Sequence, residues 1–154
     1  MNDQPDIEAS DFSERPHLVH AFDLGLLASL SVAVVYGVLA DPLGLSWGLI
    51  AVGFIGGMFI GAATGRGAWR GRSHPPSRRV QLMAGAFAIG TWFVAISVAY
   101  LLGQVFYQQA DTALLERVSV DGLAEYFGGL YQAAGISHAA ALAALAFMAW
   151  RGAR

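Results

Sequence analysis

The sequence predicts an all-α integral membrane protein, a four-helix bundle with a short first hairpin and helices that pack through small residues. Three observations predict it: the composition, four long apolar segments, and the regular spacing of glycine and alanine. Of the 154 residues, 56% are hydrophobic and 13% are charged, whereas soluble domains carry about 25% charged residues. Such a chain lacks the polar side chains needed to cover a water-facing globule.

Four apolar segments follow one another, at residues 21–40, 46–65, 81–107 and 127–150. Each has about 20 residues or more, the length that crosses a hydrocarbon core of about 30 Å as a helix. A helix also satisfies its own backbone hydrogen bonds in lipid, so each segment is predicted to span the membrane. The polar, acidic residues 1–20 are predicted to be a flexible N-terminal tail and not a signal peptide, and residues 21–154 a single domain.

The arginines predict the orientation. The connection between the second and third segments contains no acid and five arginines: Arg66, Arg70, Arg72, Arg78 and Arg79. By the positive-inside rule this connection faces the cytoplasm, and an even number of spans then places both termini there, in a plasma or inner membrane. The same arginines are candidates for binding lipid headgroups. The outer loop, residues 108–126, is predicted to form a short amphipathic surface helix or a cap on the bundle.

Glycine recurs at every fourth position of the second segment, at Gly53, Gly57, Gly61 and Gly65. Glycine costs about 1 kcal/mol against alanine in a soluble helix, but in lipid small residues let helices approach closely. The other segments carry comparable stripes: Gly25, Ser29, Ala33 and Gly37 in the first, Thr91, Ala95, Ala99 and Gly103 in the third, and Gly135, Ala139 and Ala143 in the fourth.

The short connection at residues 41–45 makes the first two segments antiparallel neighbours. We therefore predict that their two stripes meet, and that the third and fourth segments pack in the same way. The alternative is that the stripe of the second segment forms a contact between copies of the chain or with a partner protein.

Two ionisable residues lie within the apolar segments, and such residues are costly in a membrane. His138 is interpreted either as a buried neutral histidine bonded to a residue such as Tyr36 or Ser137, or as part of a ligand or proton pathway. Asp23 is interpreted as an ion-pair partner of Arg66 or Arg151, or as a carboxylate in an ion or proton path. Haem ligation by two histidines is disfavoured, because the remaining histidines, His17, His20 and His74, lie outside the apolar segments.

Several polar side chains fall in the predicted outer halves of the helices: Tyr36, Tyr100, Gln104, Tyr131 and Gln132. They are candidates for lining a polar vestibule that opens to the outside. The alternative is a hydrogen-bonded network at the membrane interface.

The chain has no cysteine and no recognisable nucleophile elbow, zinc-protease motif or phosphate-binding loop. We therefore expect no enzymatic activity, no metal and no cofactor, and no nucleic-acid binding. The predicted function is that of a non-catalytic accessory, assembly or structural subunit, whose partners are membrane lipids and another membrane protein or a second copy. The alternative is a small-solute or ion transporter, or its substrate-binding component, with His138 in the pathway.

The first hairpin, "VVYGVLADPLGLSWGLIAVGFIGGMFIGAATG" at residues 34–65, resembles the glycine-rich hairpin of the small ATP synthase subunit I family. In both, a helix ends near an acid, a short turn follows, and a glycine-rich helix returns to a basic loop. The resemblance implies a helper in the assembly of a membrane rotor ring. The chain departs from that pattern in its third segment, which has no charged residue, and in its long outer loop.

Overall fold

The computed structural model describes residues 16–40, 47–69, 77–106 and 118–154, and in these ranges the chain is helical without any strand. The helices are α1 (Leu18–Ala40), α2 (Gly48–Trp69), α3 (Arg78–Phe106) and α4 (Val120–Gly152). The predicted tail up to residue 15, the first turn, Arg70 and Arg72, and residues 107–117 of the outer loop lie outside the described residues.

Three helices, α1, α2 and α3, are long and apolar enough to cross a membrane, and α4 is a fourth if its two parts are counted as one span. The described residues are all-helical, and their three or four long apolar helices are consistent with a multi-pass membrane protein. The predicted boundaries need small corrections, because α1 begins before residue 21 and α2 continues past residue 65 to Trp69.

The fourth span differs from the sequence prediction. Instead of one straight helix over residues 127–150, α4 begins at Val120 and bends by 96° between Val120–Leu130 and Gly135–Gly152. The first part, which the sequence assigns mostly to the outer loop, starts at Ser119, whose side chain accepts a hydrogen bond from the Gly122 backbone N–H at 2.9 Å. This N-cap satisfies one of the free donors that every helix start leaves.

Successive helices run in opposite directions. One end of the bundle therefore holds the start of α1 and the ends of α2 and α4, and we name it the basal end. Both α1 and α4 pack against α2 and α3, and α2 also touches α3. By contrast, the backbones of α1 and α4 make no contact and lie on a diagonal of the bundle. At the basal end the His17 backbone N–H donates to the Ala68 carbonyl at 2.9 Å, which joins the start of α1 to the end of α2.

The glycine stripe of α2 lies against the backbone of α4. A Cβ atom added at Gly53 would lie 2.6 Å from the Ala141 carbonyl oxygen, and one added at Gly57 or Gly61 would collide with the carbonyl oxygen of Leu145 or Ala149. The partners are always 88 residues apart along the chain, so the two helices run parallel and in one register. Only hydrogen is small enough at these positions.

The stripe of α2 faces α4, so the prediction that the stripes of α1 and α2 meet is wrong. The helices α3 and α4 do pack against each other, as predicted, although Ala139 and Ala143 of the α4 stripe are exposed. The α1 stripe mainly faces α3: a Cβ atom at Gly25 would lie 2.5 Å from the Phe87 ring, and one at Gly37 would lie 2.8 Å from the Ala95 carbonyl oxygen. Small-residue contacts thus join the two parallel pairs of helices. The stripe of Gly135, Ala139 and Ala143 is not the face of α4 that contacts α2.

The geometry of the α2–α4 contact gives a physical reason for the glycines. In glycine a hydrogen takes the place of Cβ, so the Cα–H bonds of Gly53, Gly57 and Gly61 point at carbonyl oxygens of α4. Such Cα–H···O contacts recur where helices approach closely and contribute about 0.5–1 kcal/mol each. They add to the van der Waals packing that drives helix association in lipid.

We predict that Gly57→Ala destabilises the fold, although alanine is the better helix former. The new methyl group collides with the Leu145 carbonyl, and overpacking of this kind costs about 1–3 kcal/mol. The matched control is Gly90→Ala on α3, where an added Cβ has no neighbour within 4 Å; it should be neutral or slightly stabilising. Thermal unfolding in detergent measures both variants, and equal stabilities would contradict the α2–α4 packing.

Candidate functional site

The buried polar centre of the bundle is formed by Tyr36 of α1 and His138 of α4. The Tyr36 side chain has no exposed surface, and His138 is 6% exposed. The Tyr36 hydroxyl lies 3.5 Å from His138 Nδ1, and the two ring centroids are 6.4 Å apart. The residues are 102 positions apart in the chain, and their contact joins the two helices whose backbones do not touch.

Small side chains make room for this contact. Ala33, Ala95 and Ala141 are buried in the same cluster as Tyr36, and each comes from a different helix. Because these three residues end at Cβ, the tyrosine ring is able to extend across the diagonal towards α4. These buried alanines thus leave the space in which Tyr36 approaches His138.

A hydrogen bond between these groups satisfies two polar side chains that are costly to bury unpaired. The distance of 3.5 Å is long for such a bond. If Nδ1 carries no proton, the Tyr36 hydroxyl donates to it; if Nδ1 is protonated, it donates to the tyrosine oxygen. Chemically, the pair is able to hold a proton between two partners in apolar surroundings.

The sequence analysis missed Trp92 of α3 as part of this centre. Trp92 packs against the cluster that contains Tyr36, and its ring centroid lies 6.0 Å from that of Phe127. Its buried indole Nε1 interacts with the Tyr36 side chain, but no hydrogen bond of ordinary geometry forms there among the described residues. Tryptophans of membrane proteins are expected near the ends of spans, at the membrane interface. A tryptophan in the middle of an apolar segment, one turn before Ala95, was therefore the signal in the sequence.

The other predicted vestibule residues do not join the pair. Tyr100 is buried and packs against Tyr126, with ring centroids 5.6 Å apart, next to Gly122. Gln104 is half-buried near the end of α3, and the Tyr131 side chain lies outside the described residues. Because Tyr36 and Tyr100 are both buried, these two side chains do not line a vestibule open to the outside.

Asp23 has no ion pair with Arg66 or Arg151 in the described part of the chain, so the predicted ion pair is wrong. Arg151 belongs to α4, which lies across the diagonal from α1. Asp23 and Arg66 instead line one groove of about 300 Å³ between α1 and α2 at the basal end. His20, Leu24 and Gly67 complete the lining.

Among the residues that the structure describes, no three His, Cys, Asp or Glu side chains are placed to hold a metal ion together. No protein-family model matches the chain, and no curated protein or solved structure is significantly similar to it. The resemblance to the ATP synthase subunit I family therefore rests on the residues of the first hairpin alone.

We predict that Tyr36 and His138 are energetically coupled. His138→Leu leaves the Tyr36 hydroxyl buried without its partner, at a cost of about 1–3 kcal/mol. Adding Tyr36→Phe removes that hydroxyl. The double variant should therefore lose about 1 kcal/mol less unfolding free energy than the two single variants lose in sum. Thermal unfolding in detergent measures this cycle.

The control cycle combines His138→Leu with Tyr100→Phe, because Tyr100 packs against Tyr126 and not against the pair. Its two effects should add to within about 0.5 kcal/mol. If the Tyr36 cycle is additive as well, the two side chains do not interact.

Proposed function

We propose that this protein is a non-catalytic accessory, assembly or structural subunit of a membrane complex, and that another membrane protein packs on α4. The observation that supports this proposal is the stripe of Gly135, Ala139 and Ala143. Gly135 has no neighbour within 4 Å of an added Cβ, and both alanines are exposed. Small residues at this spacing favour close helix association in lipid, and none of the described helices covers this face.

The large side chains beside the stripe support the same proposal. Ile136 is 84% exposed and Phe147 is 60% exposed. Ile136 directly follows Gly135, and Phe147 lies four residues after Ala143, so a partner helix would meet the small residues with one bulky apolar side chain beside them and another at their end. Contacts of this form pack well between helices in membranes.

The charges support an orientation within the membrane. All described arginines lie at the basal end, in the last turn of α2, the first turn of α3, and at or just after the end of α4: Arg66, Arg78, Arg79, Arg151 and Arg154. The described acids of α4, Asp121 and Glu125, lie in the other part of that helix. The positive-inside rule then favours a cytoplasmic basal end, with both termini in the cytoplasm of a plasma or inner membrane.

The absence of cysteine makes a direct test possible, because one introduced thiol is then unique. We predict that Ala139→Cys forms a discrete cross-linked adduct in native membranes under mild oxidation or with a thiol–amine cross-linker. Val94→Cys, on the exposed face of α3, is the control and should give no defined adduct. The mass of the adduct separates a different subunit from a second copy of this chain.

If Ala139→Cys gives no more adduct than Val94→Cys, the α4 face is not a subunit contact. A further variant separates association from folding. Ala143→Leu should abolish the adduct of Ala139→Cys while leaving the unfolding temperature unchanged, because residue 143 is exposed.

The second candidate function is transport of a small solute or ion, favoured by one observation. Tyr36 and His138 form a polar contact in the interior of the bundle, where ionisable groups are costly and are often functional. We predict that, if the protein is a transporter, His138→Gln lowers uptake into proteoliposomes at least tenfold while the protein stays folded. Quenching of a pH-sensitive dye measures proton flux into proteoliposomes that contain the wild-type protein or the variant. Equal proton fluxes would contradict transport through His138.

A further inference from the structure

The α1–α2 seam, the surface line along which these two helices meet, is charged at its basal end. His20, Asp23 and Arg66 are exposed there and line the groove of about 300 Å³. In the described part of the chain the carboxylate and the guanidinium face this groove without forming an ion pair. The site therefore offers one negative and one positive group side by side.

The seam becomes apolar further into the membrane. A second groove, of about 320 Å³, is lined by α1 and α2 residues: Ser31, Val32, Val35, Val52, Ile55, Gly56 and Phe59. Its one hydroxyl, that of Ser31, donates to the Leu27 carbonyl at 2.9 Å. That donor is therefore used by the helix itself, and the groove presents a hydrocarbon surface.

Both grooves lie on one side of the helix pair. In α1, residues 20, 24, 31 and 35 are separated by four or seven positions, and in α2 the same holds for residues 52, 59 and 66. Such spacings keep residues on one face of a helix. The charged groove and the apolar groove are therefore successive parts of the same seam.

The length of the seam from the charged groove to the far end of the apolar groove fits one lipid leaflet. From Asp23 to Val35 is 12 residues along α1, about 18 Å at 1.5 Å per residue. One leaflet supplies about half of the hydrocarbon core of about 30 Å, or about 15 Å. An acyl chain whose headgroup lies at the charged groove thus ends in the apolar groove.

We propose that the α1–α2 seam is a binding site for one phospholipid whose headgroup carries a phosphate and a primary ammonium, as in phosphatidylethanolamine. The phosphate binds Arg66, with His20 beside it. The ammonium donates to the Asp23 carboxylate, and one acyl chain lies in the apolar groove.

The charge pattern selects this class of lipid. Arginine binds phosphate oxygens through charge-assisted hydrogen bonds, which any phospholipid can accept. The carboxylate of Asp23 adds a preference, because a primary ammonium donates hydrogen bonds to it whereas the quaternary ammonium of phosphatidylcholine has no N–H. Phosphatidylglycerol brings a phosphate without a cation, so its headgroup leaves Asp23 unpaired next to a negative charge.

The experiment measures lipid binding to the full chain in detergent by native mass spectrometry, with three lipids of identical acyl chains. Wild-type protein should bind phosphatidylethanolamine about tenfold more tightly than phosphatidylcholine or phosphatidylglycerol, which corresponds to one charge-assisted hydrogen bond. Asp23→Asn should reduce phosphatidylethanolamine binding to the level of phosphatidylcholine. The matched control is Glu125→Gln, an exposed acid of α4, which should leave the preference intact.

Two variants test the remaining parts of the site. Arg66→Gln should weaken the binding of all three lipids by a similar factor, because it removes the phosphate contact. Val35→Trp should also weaken all three, by filling the apolar groove, without changing the preference between them. Its control is Val94→Trp on α3; both valines are exposed, so neither change should alter the unfolding temperature.

Three results would overturn the proposal. One is equal binding of phosphatidylethanolamine and phosphatidylcholine to wild-type protein. Another is tighter binding of phosphatidylglycerol, which would make the groove a site for anionic lipids. The third is a preference for phosphatidylethanolamine that survives Asp23→Asn.

Discussion

The rest of the structure depends on the close approach of α2 to α4. Three glycines of α2 direct Cα–H bonds at carbonyl oxygens of α4, one helical turn after another. This contact leaves no room for any side chain, so it fixes both the distance and the register of the two helices. In lipid, where apolar side chains gain nothing by leaving the solvent, such close packing is the main force that holds helices together.

This contact also determines what faces the interior. Once α4 lies on the α2 glycines, its residues 138 and 141 point into the bundle, where Tyr36 reaches His138. The same rotation turns Gly135, Ala139 and Ala143 towards the membrane. The buried polar pair and the uncovered stripe on α4 are thus two results of one packing choice.

The sequence predicts the class of the molecule and the extent of α1, α2 and α3 well, because hydrophobic length and helical periodicity are local properties. The short connection at residues 41–45 also predicts correctly that α1 and α2 are neighbours. The partner of each stripe could not be predicted, since all four segments carry small residues every fourth position and one sequence does not say which stripes meet. In α4 the face that contacts α2 runs from Ala141 through Leu145 and Ala149 to Gly152, and the stripe of Gly135, Ala139 and Ala143 is not part of it.

The candidate site was predictable in part. His138 was the one ionisable residue in mid-helix, and Tyr36 was among its expected partners, so chemistry alone limited the choice. Trp92 was missed although its mid-segment position was a signal, because an indole in an apolar run also fits plain hydrophobic packing. The expected ion pair of Asp23 with Arg151 failed for a topological reason: α1 and α4 lie on the diagonal of the bundle, an arrangement that helix lengths and loop charges do not reveal.

The 88-residue offset between α2 and α4 has a consequence for biosynthesis. Chains elongate at about 5–20 residues per second, so at that pace about 4 to 18 seconds pass between the synthesis of Gly57 and that of Leu145. During this interval the first hairpin has left the ribosome while its tightest neighbour does not yet exist. The nascent hairpin must wait in the bilayer or beside the insertion machinery, and a premature encounter with another small-residue helix is the characteristic hazard of this topology.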